Sequence, residues 1–260
     1  MALVVTGHPR SGTSLLRRTL ASHPEIELTS ELGCFRALGE PKLLYFIGML
    51  GRIWSRRRTP ILSEPADDRR ARLWASYRVE VRYLNEIRKL GSPLVQAADV
   101  ERMLRAVLPQ HRIVGDKFPA YVFGLHRFAS DPDLRVVVIY RDARDVVASY
   151  LDRIRHGWDR IPVFNAYDTA EKVASRWVSA AEAIRREERR VHALRYESLV
   201  REPRTEAERL GAWLDVDPEG FELDPIHDRS IGLHRDRLSR HQLETVERVA
   251  GSTMEALGYL

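Results

Sequence analysis

Residues 2–21 read ALVVTGHPRSGTSLLRRTLA, and the order of residue types in this stretch decides the fold. Ala2 to Thr6 is a short apolar run that reads as a buried strand ending at Gly7. A loop with two glycines follows at once. From Gly12 to Ala21 the apolar residues Leu15, Leu16 and Leu20 recur at helical spacing, and Ser22-His23-Pro24 ends the helix. Strand, glycine loop and helix make one half of a βαβ unit. Working outward, Glu25 to Thr29, His111 to Gly115, Leu134 to Tyr140 and Val191 to Leu194 read as further strands. Leu134 to Tyr140 is rich in β-branched residues, as suits a central strand covered on both faces. Helical patterns fill the intervals: Lys42 to Trp54, Asp67 to Leu90, Ala97 to Leu108, Tyr121 to Ala129, Arg144 to Ile154, Thr169 to Glu188, Glu206 to Leu214 and Ser239 to Leu257. This alternation predicts an α/β fold, a three-layer α/β/α arrangement around a mostly parallel central sheet. Neither an internal repeat nor a linker interrupts the chain, so residues 1–260 are read as one domain in which 39–110 is mostly helical. Ligands of such sheets sit beyond the C-terminal strand ends.

At 260 residues, with 44% apolar and 30% charged residues, the composition excludes collagen-like and disordered chains. Of 42 basic residues only Lys42, Lys89, Lys117 and Lys172 are lysines, and the net charge is +5. The arginines are interleaved with acids, as in Arg185 to Arg190, which is the pattern of a solvated helix face. The one uninterrupted basic run, Arg56-Arg57-Arg58, is short and has no aromatic residues within it, so anionic small molecules are expected and nucleic acid is not. The single Cys34 rules out a disulfide within one chain and suits a reducing compartment. Ala2 to Val5 is too short for a secretion signal, and Leu43 to Leu50 falls far below the roughly 20 residues that cross a bilayer. A soluble cytoplasmic protein without a transmembrane segment is expected.

Gly7 and Gly12 are separated by four residues and followed by Thr13 and Ser14, which is Walker A spacing with Thr13 in the place of lysine. A glycine turn feeding a helix N-terminus points successive backbone N–H groups at one spot, where the helix dipole also favours an anion. A P-loop type of phosphate cradle is the result. The missing lysine argues against a kinase or NTPase acting on a γ-phosphate. No strand ends in a clear magnesium-binding Asp, and the strand at Val136 to Tyr140 runs into Arg141, whose charge suits a second phosphate. His8, His111, His126 and His156 have no metal-ligand spacing with one another or with Cys34, and no metal is expected. No G-x-S-x-G nucleophile elbow is present.

The segment HPRSGTSLLRRTLASHPEI, residues 8–26, resembles the 5′-phosphosulfate loop of sulfotransferases that use 3′-phosphoadenosine 5′-phosphosulfate (PAPS). The likeness is strongest to the branch of tyrosylprotein sulfotransferases and small bacterial members. Arg141 to Ser149 resembles the family's 3′-phosphate motif, an arginine at a strand end with a serine eight positions on. Arg195-Tyr196-Glu197-Ser198-Leu199-Val200 resembles its R-Y-E-D-L-V segment, and Gly232 to Tyr259 its closing loop and terminal helix. The resemblance is weakest between Gly39 and Gln110.

It implies a metal-free, in-line transfer of a sulfuryl group from PAPS to a hydroxyl, phenol or amine acceptor, with 3′,5′-bisphosphoadenosine (PAP) as product. The backbone of Ser11, Gly12, Thr13 and Ser14 would hold the 5′-phosphate, with Arg10 against the phosphosulfate; the bland alternative for Arg10 is a surface ion pair. Arg141 and Ser149 would take the 3′-phosphate. Arg144 and Asp145 read as helix-start residues, with Asp142 as N-cap. Tyr196 would reach the nucleotide or serve as a strand-end aromatic. Gly232 and Arg235, with Arg237, would fold over the nucleotide, although the fuller basic and glycine-rich signature of cytosolic sulfotransferases is absent there. Gly115-Asp116-Lys117-Phe118-Pro119 lacks the histidine that cytosolic members use as base. Glu31 and Lys117 instead match the glutamate and lysine of tyrosylprotein relatives, with Glu31 as base and Lys117 stabilising the leaving group. A first-turn carboxylate matched to a helix dipole is the other reading of Glu31.

The acceptor, a natural product that is lipid-like or phenolic, is expected against the segments least like the family, Phe35 to Asp68 and Arg155 to Asp168. Leu43 to Leu50 is either a helix buried in the core or an acceptor pocket or lid, and Trp158, Phe164 and Tyr167 would form the opposite wall. The competing readings are a P-loop small-molecule kinase using ATP and magnesium, and a nucleotide- or nucleic-acid-binding module without catalysis. One sequence leaves self-association open.

Overall fold

The computed structural model describes residues 1–55 and 69–260. The chain runs β1 (Ala2–Thr6), α1 (Thr13–Ala21), β2 (Ile26–Ser30), α2 (Lys42–Ser55), α3 (Arg69–Lys89), α4 (Ala97–Val107), β3 (Ile113–Lys117), α5 (Leu125–Ala129) and β4 (Leu134–Tyr140). It continues through α6 (Ala143–Arg155), α7 (Pro162–Asn165), α8 (Ala170–Glu187), β5 (His192–Arg195), α9 (Tyr196–Arg201), α10 (Pro203–Leu214), α11 (His234–Arg237) and α12 (Arg240–Ala256). The five strands form one sheet in the order β2-β3-β1-β4-β5, and every neighbouring pair is parallel.

The apolar strands feed both faces of this sheet because successive side chains point to opposite sides. Ala2 and Val4 of β1 join the core beneath α2 to α5, whereas Leu3 and Val5 join the core beneath α1, α9 and α10. β4 divides its side chains in the same way, with Val136 and Val138 on one face and Val137 and Ile139 on the other. A third cluster joins α6, α8 and α12 around the buried Trp177 and Tyr150. The result is the three-layer α/β/α arrangement. Cys34, fully buried beside Phe35, has its thiol pushed well up by burial.

The departures from the sequence reading have physical causes. β3 extends two residues beyond Gly115, because the buried Asp116 finds hydrogen-bond donors and Lys117 an ion-pair partner. Pro119 starts a short 3-10 turn over Pro119–Gly124, so only Leu125–Ala129 of the expected helix is α-helical. The expected Asp67 start of α3 and the run Arg56-Arg57-Arg58 lie outside the described residues. Leu43 to Leu50 is helical but is not a buried core helix: Tyr45 and Met49 face inward, while Leu43, Leu44, Ile47 and Leu50 stand in solvent.

The sheet order places a topological switch between β1 and β4. From β1 the chain crosses to β2 on one side, and from β3 it crosses to β4 on the other. The loops leaving the C-terminal ends of β1 and β4 therefore part and leave a cleft between them.

Candidate active site

The loop from Gly7 to Gly12 is tightly folded, with Ser11 N–H donating to His8 C=O at 3.0 Å. Gly12 caps α1 in the left-handed region at φ 100°. A Cβ there would come within 2.5 Å of the Tyr196 ring, so glycine is required on both counts. The first turn of α1 has no acidic residue, which leaves its N–H groups and dipole facing the cleft. His8 is buried with Nδ1 donating to the Pro9 carbonyl at 2.7 Å, and burial lowers its pKa to about 3.

The side chain of Arg10 crosses the cleft, and its Nε donates to Ser149 Oγ of α6 at 2.9 Å. Its guanidinium lies 5.7 Å from the Trp158 ring. Burial and the nearby Arg153 and Arg141 lower its proton affinity, the signature of a cation set among cations. Arg141 leaves the end of β4 and stacks 4.5 Å over the Tyr196 ring. One of its Nη atoms contacts Asp145 at 3.2 Å and donates to the Ser230 carbonyl. Among the described residues its buried Nε has no hydrogen-bond partner, nor has the buried hydroxyl of Ser11. Asp142 caps α6 through Arg144 N–H at 2.8 Å, as its position before that helix predicted.

Arg10, Arg18 and Arg141 converge with Gly12, Thr13, Ser14 and Tyr196 around a cavity of about 230 Å³, closed on its outer side by Pro225, His227 and Ser230. Among the described residues no carboxylate lines it. Such a site attracts a ligand with several negative charges and gives each a donor. Ser11 and Ser149 stand just behind this lining, Ser149 in contact through Arg10.

Asp145 holds the segment above the cavity. Its carboxylate accepts from the backbone N–H of Gly232 at 2.8 Å and of His234 at 3.0 Å, and contacts His234 Nδ1 at 2.8 Å. Burial alone would raise the pKa of this carboxyl, but the amides of His234 and Gly232, the His234 ring and Arg141 outweigh it and hold it below the ordinary value. Gly232 and Arg235 themselves line a neighbouring cavity of about 520 Å³ with Arg144, Arg195 and Tyr259, and not the arginine-lined one.

Glu31 and Lys117, 86 residues apart, meet at 2.7 Å. The Lys117 side chain is 3% exposed and that of Glu31 48%, so a buried ammonium meets a carboxylate open to solvent. The backbone positions them as well: Glu31 N–H donates to Lys117 C=O at 2.7 Å. Asp116, fully buried, accepts from Leu32 N–H, Gly33 N–H, Thr29 Oγ1 and Tyr121 OH, and so fixes the turn on which Glu31 sits. Among the described residues only Arg10, Glu31 and Asp215 are non-glycine residues at positive φ, with Arg10 at 76° and Glu31 at 61°. Strain of this kind costs about 1–3 kcal/mol per residue and gathers where function over-determines the backbone.

Of the residues singled out in the sequence, Arg10, Gly12, Thr13, Ser14, Arg141 and Tyr196 line one cavity, Ser149 touches it through Arg10, and Glu31 pairs with Lys117. The sequence reading missed Arg18, His227 and Ser230. Arg18 follows Ser14 by one helical turn, and that spacing was available as a signal. The expected acceptor wall is also a unit: Trp158 stacks on Phe164 at 4.1 Å, and Tyr150 packs edge-on at 5.3 Å. Tyr167 joins the same cluster beneath Arg176. Among the described residues no three His, Cys, Asp or Glu side chains are grouped to hold a metal ion.

Comparison with known proteins bears on this arrangement. A family model described as the sulfotransferase family matches residues 2–220. A sequence search among curated proteins gives no match. In fold, the chain is similar to the sulfotransferase domain from the Synechococcus PCC 7002 olefin synthase, at 20% identity and a TM-score of 0.57, covering 96% of this chain and 94% of that one. It is likewise similar to the sulfotransferase STF9 from Mycobacterium avium, at 14% identity and TM-score 0.54, covering 100% and 77% of the two chains. A sulfotransferase from Alicyclobacillus acidocaldarius aligns at 16% identity and TM-score 0.52, covering 98% and 94%.

Proposed function

The chain belongs to the sulfotransferase family, and from that premise we propose that it moves the sulfuryl group of PAPS to a hydroxyl, phenol or amine of a small-molecule acceptor. The observation that carries this reading is the cavity at the β1/β4 switch, where three arginines and a helix N-terminus meet and, among the described residues, no carboxylate is in the lining. PAPS has a 5′-phosphosulfate and a 3′-phosphate, two separated anionic groups. The unpartnered Ser11 hydroxyl and the unpartnered Nε of Arg141 are donors that such groups accept from, so the residues fit the molecule.

In this reading the N–H groups of Ser11 to Ser14 hold the 5′-phosphate, and Arg141 with Ser149 selects the 3′-phosphate. Arg10, bonded to Ser149, lies between the two and neutralises charge as it develops on the leaving phosphate. PAPS supplies an activated sulfuryl group. Glu31 takes the proton from the acceptor hydroxyl, and Lys117, held at 2.7 Å, orients the carboxylate and adds positive charge. Aligning two bound reactants and compensating charge would supply most of the rate, as in phosphoryl transfer. The cations are guanidinium and ammonium groups, and the reading assigns no metal. A single, buried cysteine agrees with a cytoplasmic setting. The acceptor would lie between the Glu31 turn and the Trp158 and Phe164 wall.

Calorimetric titration of the metal-free protein with PAP, and with ATP plus magnesium for comparison, tests the donor. PAP is expected to bind, and Arg141→Ala to weaken it about a hundredfold, the cost of removing one partner of a buried charge contact. Binding of ATP with magnesium and not of PAP would restore the kinase reading.

A further inference from the structure

The helical pair α2 and α3 has an outward surface that the transfer chemistry does not use. On α2, Leu43, Leu44, Ile47 and Leu50 are between 48% and 67% exposed, at a spacing that puts them on one side of the helix. Isolated exposed aliphatic side chains are ordinary, but four within about two turns are not. On α3 the exposed residues among those described are Trp74, Tyr77, Arg78, Arg82, Asn85, Arg88 and Lys89, with Trp74 and Tyr77 packed edge to face at 6.0 Å.

The two surfaces are side by side. Lys42 Nζ at the start of α2 donates to the Arg88 carbonyl near the end of α3 at 2.9 Å, and Tyr45 OH donates to Tyr83 OH at 3.0 Å. The helices are therefore antiparallel. Leu43 and Leu44 lie near Arg88, and Leu50 lies nearer Tyr77 and Arg78. Among the described residues no exposed position of α2 or α3 is a carboxylate: Glu80 is buried, and the half-buried Glu86 is paired with Lys89.

We infer that this face docks on an anionic lipid bilayer. An apolar row enters the acyl boundary, an adjoining basic row meets lipid phosphates, and Trp74 and Tyr77 take the interfacial depth their rings prefer. Charge selects this occupant over a second copy of the chain. A twofold contact through the face would bring basic rows together, and the described residues of α2 and α3 offer no outward carboxylate to receive them. The protein would lie on the membrane and not cross it, since no described helix is long and apolar enough to span one. The inference needs nothing from sulfuryl transfer and is tested apart from it.

The test is co-sedimentation of the full chain with phosphatidylcholine vesicles, with and without phosphatidylglycerol, at low and high salt. Binding is expected on the anionic vesicles and should fall at least tenfold on neutral ones and at high salt. Leu44→Glu with Ile47→Glu, and separately Arg78→Glu with Arg82→Glu, should each weaken it more than tenfold. All four sites are exposed, so the thermal midpoint should hold; if the leucine pair lowers it, the arginine pair and the salt series decide. Absence of binding to anionic vesicles, or binding that neither pair alters, overturns the inference. So does a dimer in sedimentation velocity that Ile47→Glu dissociates while the vesicles capture nothing.

Discussion

Helices α1 and α2 each carry leucines on one side, and they treat them in opposite ways. Leu16 and Leu20 of α1 have no exposed surface, whereas Leu43 and Leu44 of α2 are 67% and 60% exposed. The residue type is the same; what differs is what each helix lies on. α1 is laid along the sheet by a loop that turns at Gly12 in the left-handed region, and its apolar side meets β1 and β2. α2 lies on α3, buries Tyr45 and Met49 with Phe46 packed beside them, and leaves Leu43, Leu44 and Leu50 over. The anion cleft is thus a region where backbone shape and burial dictate each residue. The α2–α3 face is one where packing dictates almost none, and such freedom is what a surface for an outside partner requires.

If that contrast is right, substitutions should divide by region. Glu31→Gln in the cleft should lower turnover about 10²–10⁴-fold with PAP binding unchanged, the range for loss of a general base; full turnover would remove Glu31 from that role. Gly12→Ala forces a Cβ against Tyr196 in a left-handed conformation. It should cost about 1–3 kcal/mol in thermal unfolding and abolish calorimetric PAP binding. Arg141→Lys keeps the charge but loses the stack on Tyr196 and the planar fork, and about tenfold weaker PAP binding is expected. The buried His8 stays neutral in the fold until about pH 3, while the unfolded chain protonates near 6.5. Stability should therefore fall by about 1.4 kcal/mol per pH unit from near 6.5 toward 3, and His8→Asn should flatten that acid limb in denaturant titrations. The smallest effect belongs to the other region: Ile47→Ser should shift unfolding by less than about 0.5 kcal/mol. A loss of several times that would show that the face is packed after all, and the contrast would fail.

The two regions also differ in how far the sequence disclosed them. The phosphate loop was legible because its chemistry is local: two glycines four residues apart and a helix start fit within ten residues. Parallel strands were legible from β-branched runs alternating with helical patterns. Glu31 and Lys117 required a resemblance, since nothing local says that residues 86 apart will meet. His227 and Ser230 were invisible because their place depends on Asp145 gathering the segment from Gly232 to His234, a tertiary event. Leu43 to Leu50 misled the core-helix reading because composition cannot say which side of an apolar helix will find a partner. Tyr196, one reading of which was a strand-end aromatic, is instead the first residue of α9.

The register of the sheet has a consequence for the growing polypeptide. β1 is made first, yet its neighbours are β3 and β4, and Ala2 is paired with Val114 on one side and Leu134 on the other. At a synthesis rate of about 5–20 residues per second, β1 waits roughly 6–20 s for its first partner. During that interval ALVVT and the leucines of α2 are present together on the nascent chain without a sheet to receive them. Recovery of native protein should then depend on ribosome-associated holdases and improve at lower expression temperature, even though the finished domain buries β1 completely.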